Sequence, residues 1–189
     1  MKKPIYLLFF LIFFKGFSQS SQQEMIPEKN APESIVRNFS NTEISVYQKS
    51  SAEKFRQFAE YFNLYQKTPD ADLRRQLEQN IFNLFTDSDV EIADFLGDGK
   101  NLSLRKFLRK YQNSGISIDV ISEKSSAEIG ENSWFNEYEI EIGGKKMFLK
   151  QNIYFQKTDK KFGNKTKQVW EIKLGEISFD MIRKIQCFG

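Results

Sequence analysis

The clearest signal in the chain is a change of hydrophobic period. Between Ser50 and Lys67, Phe55, Phe58, Ala59, Phe62 and Tyr65 fall at i, i+3, i+4, i+7 and i+10, the stripe of an amphipathic helix. Ser50 with Glu53 three residues later has the form of a capping box and predicts the start. A second helix is predicted directly after it. Thr68 is its expected cap, Pro69 its first residue, and Leu73, Leu77, Ile81, Leu84 and Phe85 its apolar stripe. The short joint between them makes a helical hairpin. A brief strand is expected around Val90, Ile92 and Phe95. A third helix is expected from Leu104, Phe107, Leu108 and Tyr111, with Ser103 as its cap and Asn113-Ser114-Gly115 as its stop.

From Ile116 onward the period becomes two. Ile116, Ile118 and Val120 alternate with Ser117, Asp119 and Ile121. Trp134, Tyr138, Ile140 and Ile142 then alternate with Phe135, Glu137, Glu139 and Glu141, giving one apolar and one acidic face. Gly143-Gly144 is a hairpin dipeptide that joins this strand to the next, which carries Met147, Leu149, Ile153 and Phe155. TDKKFGNKTK reads as a polar turn. It leads to a last strand with Trp170, Ile172 and Leu174 on one face, and Gly175 predicts a bulge before Ile177 and Phe179. The fold class expected from this order is α+β, with three helices packed on a curved, four- to five-stranded, mainly antiparallel sheet.

That order, and the late VWEIKLGEI strand, resemble the nuclear transport factor 2-like (cystatin-like) superfamily over about residues 50–180. The resemblance is one of architecture. It implies a cone-shaped domain in which a sheet wraps a long helix. It also implies that, where relatives are enzymes, a carboxylate, Tyr or Arg works inside the cone.

The opening, MKKPIYLLFFLIFFKGFSQS, changes the picture of where the protein acts. Lys2 and Lys3 precede an apolar run from Ile5 to Phe14, about half the length that spans a bilayer, followed by small residues at Gly16 and Ser18. Residues 1–18 are therefore expected to be a signal peptide, and the protein is expected to be exported, periplasmic or extracellular. Residues 19–49 read as a flexible polar leader, residues 50–180 as one α+β domain, and residues 181–189 as a C-terminal tail. No segment after the signal is apolar enough to span a membrane.

The formal charge is +3, from 28 basic and 25 acidic residues. Loss of Lys2, Lys3 and Lys15 with the signal leaves 25 basic residues against 25 acidic ones. A nucleic-acid partner is accordingly not expected. Cys187 is the one cysteine and makes no internal bridge. The chain has no histidine, which excludes Ser-His and Cys-His nucleophilic systems and a His-ligated zinc site.

The acid-rich stretch TDSDVEIADFLGDGKNLSL invites a calcium or phosphate reading, and its spacing rejects both. An EF-hand loop beginning at Asp87 would place Ile92 where glycine is required and Asp98 where a bidentate Glu is required. Gly97-Asp98-Gly99-Lys100 lacks the first glycine of a phosphate loop and the Ser or Thr after the lysine. No metal and no cofactor is expected.

Asp94 remains as the candidate catalytic residue. In an apolar pocket its carboxyl would have a raised pKa and could serve as a base. Tyr111, Tyr138 and Tyr154 are candidate hydroxyls beside it. Trp134, Tyr138, Tyr154 and Trp170 are the candidate ligand-binding residues, as aromatics on neighbouring strands. The leading functional expectation is an exported, non-enzymatic binding or interaction module of the bacterial cell envelope, whose partner is a small molecule or an envelope protein. The alternative is a small-molecule isomerase, dehydratase or hydrolase using a buried carboxylate in the cone. Homodimerisation through the sheet is common in such domains and stays open.

Overall fold

A stripe of side chains recurring every three or four residues organises the first long element. The computed structural model describes residues 34–180. After a single turn, α1 (Ile35–Asn38), the helix α2 runs from Asn41 to Lys67. Its buried positions include Ile44, Ser51, Ala52, Phe55, Phe58, Ala59, Phe62 and Tyr65. The expected start at Ser50 is thus corrected. The capping box is formed by Ser40 and Glu43: the Ser40 hydroxyl accepts from the Glu43 N–H, and the Glu43 carboxylate accepts from the Ser40 N–H at 2.8 Å. Within α2 and its cap the S-x-x-E spacing occurs twice. The earlier copy wins because the apolar stripe continues back through half-buried Tyr47 to Ile44, so the helix gains core contacts over its added turns. Residues 34–49, read as part of the leader, are folded. The expected signal peptide, the first part of that leader, the tail and Cys187 lie outside the described residues.

Helix α3 (Ala71–Leu84) is capped by Asp70, not Thr68; its carboxylate accepts from Asp72 and Leu73 N–H at 2.8 and 3.1 Å. Thr68 is unavailable because it closes α2, its N–H still bonded to the Leu64 carbonyl. Leu77, Ile81 and Leu84 are buried as expected, whereas Leu73, in the first turn, is 45% exposed. Two three-residue strands follow, β1 (Glu91–Ala93) and β2 (Asn101–Ser103), the second unexpected. Helix α4 (Leu104–Tyr111) then starts at its Ser103 cap.

The remaining strands are β3 (Asp119–Ser125), β4 (Ser133–Ile142), β5 (Lys145–Phe162) and β6 (Lys165–Phe179). Ile116 and Ile118 precede β3, so that strand begins later than the alternation suggested. All six strands join one open sheet in the order β2-β1-β6-β5-β4-β3. Every pairing is antiparallel except β1 with β6, where Ile92 lies opposite Ile177. The expected α+β class stands, with six strands where four or five were expected. Gly143-Gly144 makes the expected turn, and the register of β5 against β6 shifts between Gln151 and Ile153, opposite Gly175.

The segment read as a polar turn, TDKKFGNKTK, is mostly strand. Lys157–Phe162 and Lys165–Trp170 pair residue for residue around a tight Gly163-Asn164 turn, with Gly163 at φ 62°. A ribbon with water on both faces has no hydrophobic alternation to betray it, so only the turn dipeptide marked it.

One face of the sheet is covered by helices. Tyr138 stacks on Phe55 at 3.9 Å between centroids, and Phe62 and Phe107 meet at 5.7 Å. Phe55, Phe58, Phe62, Phe107 and Phe155 are essentially inaccessible to water, each worth about 1.5–3 kcal/mol of burial. The centre of the expected cone is therefore packed with aromatic rings.

Candidate functional site

Asp94 directly follows β1, and its backbone is tied on both sides. Its N–H donates to the Lys100 carbonyl at 2.9 Å, and its carbonyl accepts from Gly97 and Gly99 N–H at 3.1 and 3.0 Å. The side chain is fully buried. One carboxylate oxygen accepts from the Tyr111 hydroxyl at 2.5 Å, and the other accepts from the Lys110 ammonium. Lys110 and Tyr111 are consecutive residues in the last turn of α4, so a single helix end supplies both donors. Burial, and then the bond to Asp94, push the Tyr111 phenol up to about 12. Gly97 closes the top: a Cβ there would sit 2.5 Å from both the Asp94 carboxylate and the Tyr111 oxygen.

Asp94 is buried, as a candidate base would be, and both of its carboxylate oxygens are engaged. It meets an ammonium and a phenol, not an apolar chamber, and it stands apart from the hollows that Tyr154 borders. Its chemistry is that of a clasp joining the β1–β2 loop to α4.

The four aromatic candidates separate into core and surface. Tyr138 belongs to the core, 1% exposed, with its hydroxyl accepting from the Asn136 amide at 2.9 Å and its pKa raised by burial. Trp134 is nearly as deep. Its indole N–H donates inward to the Ser51 hydroxyl at 3.2 Å, and the residue borders a surface hollow. Tyr154 and Trp170 are half-buried at the end of the sheet. Trp170 stacks on Phe155, centroids 4.8 Å apart with the rings nearly parallel.

Tyr154 is the wall shared by two hollows. The first, about 270 Å³, is lined by Glu128, Gly130, Ser133, Trp134, Phe135, Asn152 and Tyr154. The second, about 290 Å³, is lined by Asn132, Tyr154, Phe155, Gln156, Lys157 and Trp170. The structure therefore brings Trp134, Tyr154 and Trp170 together and leaves Tyr138 out.

The Tyr154 hydroxyl donates to Glu176 at 2.9 Å, and the Asn152 amide donates to the same carboxylate oxygen at 3.1 Å. Burial raises the Glu176 pKa, but hydrogen bonds from its own backbone, Asn152 and Tyr154 outweigh it and hold the carboxyl below its ordinary value. Burial and the bond to Glu176 raise the Tyr154 phenol. Beside them the Lys150 ammonium lies 3.6 Å from the centre of the Phe135 ring, a cation–π contact. Sequence reasoning missed Glu176, Asn152, Phe135 and Lys150. The available signal was Phe135, one aromatic on a strand face otherwise made of Glu137, Glu139 and Glu141.

Comparison with known proteins places little beside this site. No protein-family model matches the chain, and no curated protein matches it. Among solved structures, one match is an epoxide hydrolase/cyclase-like enzyme, SalBIII, described for its role in pyran ring formation in the polyether salinomycin. It is 17% identical, with a TM-score of 0.32 over 71% of this chain and 93% of that one. Among the described residues no helix is long and apolar enough to cross a membrane. No group of three acidic or cysteine side chains there could hold a metal ion.

Proposed function

We propose that the protein is an exported, non-enzymatic binding module of the bacterial cell envelope, and that it recognises its ligand at the paired hollows around Tyr154. The observation that carries this reading is that Tyr154 forms a wall of both hollows while its hydroxyl is held by Glu176. An anchored ring between two concave surfaces, with Trp134 and Trp170 on either side, offers apolar area and a fixed polar edge together. That combination suits a small molecule, or the side chain of an envelope protein, carrying a flat apolar group and a hydrogen-bond donor for Glu176. The competing reading, chemistry at Asp94, is not favoured, because both carboxylate oxygens are already engaged by Lys110 and Tyr111.

The chain has two tryptophans, and each lines one of the two hollows. Tryptophan emission therefore reports on occupancy without a label. Screening aromatic amides and amines should find compounds that shift the emission, and Tyr154→Ala should abolish the shift. Substrate turnover that is lost in Asp94→Asn but kept in Tyr154→Ala would overturn the reading.

A further inference from the structure

The β5–β6 hairpin extends well past the rest of the sheet. The pairing of β4 with β5 ends at Ser133 and Tyr154, and the pairing of β1 with β6 lies at Ile177. Beyond Lys157 and Trp170 only two strands continue, and residues 159–168 are all exposed. Long two-stranded ribbons are marginal in water, so a ribbon that is kept asks for a use.

Its composition is one-sided. Residues 156–168 carry Lys157, Lys160, Lys161, Lys165 and Lys167 against Asp159 alone. The register makes this sharper. Lys160 lies directly opposite Lys167, and two residues further on Phe162 lies opposite Lys165. Residues two apart on a strand share a face, so Lys160, Lys167, Lys165 and Phe162 form a patch about 5 Å across and about 7 Å along. Like charges directly opposite destabilise a strand pair, and Glu171 at 3.2 Å from Lys160 only partly offsets them. Phe162, at the tip, is 54% exposed. Neither feature adds to the buried core.

We propose that this tip docks on an anionic lipid surface, with the lysines on the headgroup phosphates and the Phe162 ring in the interface. The geometry favours a membrane over the other polyanions. A protein partner of ordinary affinity needs an interface of about 1,000 Å², more than four side chains at the end of an arm provide. Single-stranded nucleic acid is held by aromatics in series, and Phe162 is the lone aromatic on this patch. A planar charged surface touches the tip alone. The proposal is independent of the hollows around Tyr154 and fits the envelope setting proposed above.

The test is flotation of the full chain with vesicles of phosphatidylcholine, and of phosphatidylcholine with an equal part of phosphatidylglycerol. Residues before Ser34 are common to all variants, so differences between variants isolate the ribbon. Binding should favour the anionic vesicles. It should weaken about fivefold for each of Lys160→Gln, Lys165→Gln and Lys167→Gln, and about tenfold for Phe162→Ser. Thermal stability should not fall in the lysine variants, since they remove repulsion. Equal binding to both vesicle types, or binding unchanged by these substitutions, would overturn the proposal. So would binding of a single-stranded oligonucleotide by the lysine patch with no vesicle binding.

Discussion

Tyr154 rests on Gly175. A methyl group at position 175 would lie 2.4 Å from Cε2 of the Tyr154 ring and 3.0 Å from the Asn152 carbonyl oxygen. The glycine is therefore the floor of the site as well as the bulge that turns β6. Gly175→Ala should push the ring off its seat, break its bond to Glu176, and cost about 1–3 kcal/mol of stability in chemical denaturation. The same substitution in a Tyr154→Ala background should cost distinctly less, because the nearest obstacle has gone. Equal costs in the two backgrounds would mean that the ring does not sit there.

The clasp at Asp94 has its own signature. Asp94→Asn should lower stability by about 1–3 kcal/mol, since the amide removes the charge facing Lys110 and leaves one acceptor oxygen for two donors. It should also move the Tyr111 titration, followed by a ring-labelled NMR signal, from about 12 back toward the ordinary tyrosine range. A midpoint that stays near 12 in the variant would dissociate the two groups.

The same phenol dictates a pH dependence. Its folded pKa lies above its unfolded value, so the folded state holds the proton longer. Stability is then undiminished below about 10 and falls as pH rises toward 12, by up to about 1.4 kcal/mol per unit. Tyr138, Tyr65 and Tyr154 are shifted upward as well and add to the same trend. Denaturant midpoints measured across that window check it.

Gln151 should be improvable. It is fully buried on the helix-covered face of β5, opposite Asn136, and neither its amide nitrogen nor its oxygen finds a protein partner. Gln151→Met keeps the unbranched shape and removes two unsatisfied groups. Stability should rise by about 1–3 kcal/mol. A fall in the unfolding midpoint would show that Gln151 is satisfied by a group other than the protein.

The start of α2 can be checked by its cap. Ser40→Ala should lose about 1 kcal/mol, whereas Ser50→Ala, inside the helix and exposed, should change little. The reverse result would restore the later start.

Much of this fold is legible in the sequence where burial is one-sided. The stripe Phe55–Phe58–Phe62 and the alternation Trp134–Tyr138–Ile140 each announce an element, because one face meets the core and the other meets water. The same logic explains the omissions. Asn101–Ser103 is too short to show a period, and both faces of the Lys157–Trp170 ribbon are wet. The Ser40 and Ser50 capping patterns are equal as strings, and tertiary packing chooses between them. The candidate site was only half legible. Tyr154 and Trp170 were visible as aromatics on strands, but Glu176 reaches Tyr154 across a bulge that shifts the register, and no spacing rule reports that.

The place of β6 has a consequence for the order of events during synthesis. It is the last strand in chain order, yet it lies between β1 and β5 and joins the two halves of the sheet. A nascent chain that ends before Lys165 holds two separate edges with nothing to bridge them. The domain therefore closes only once translation has passed its final strand.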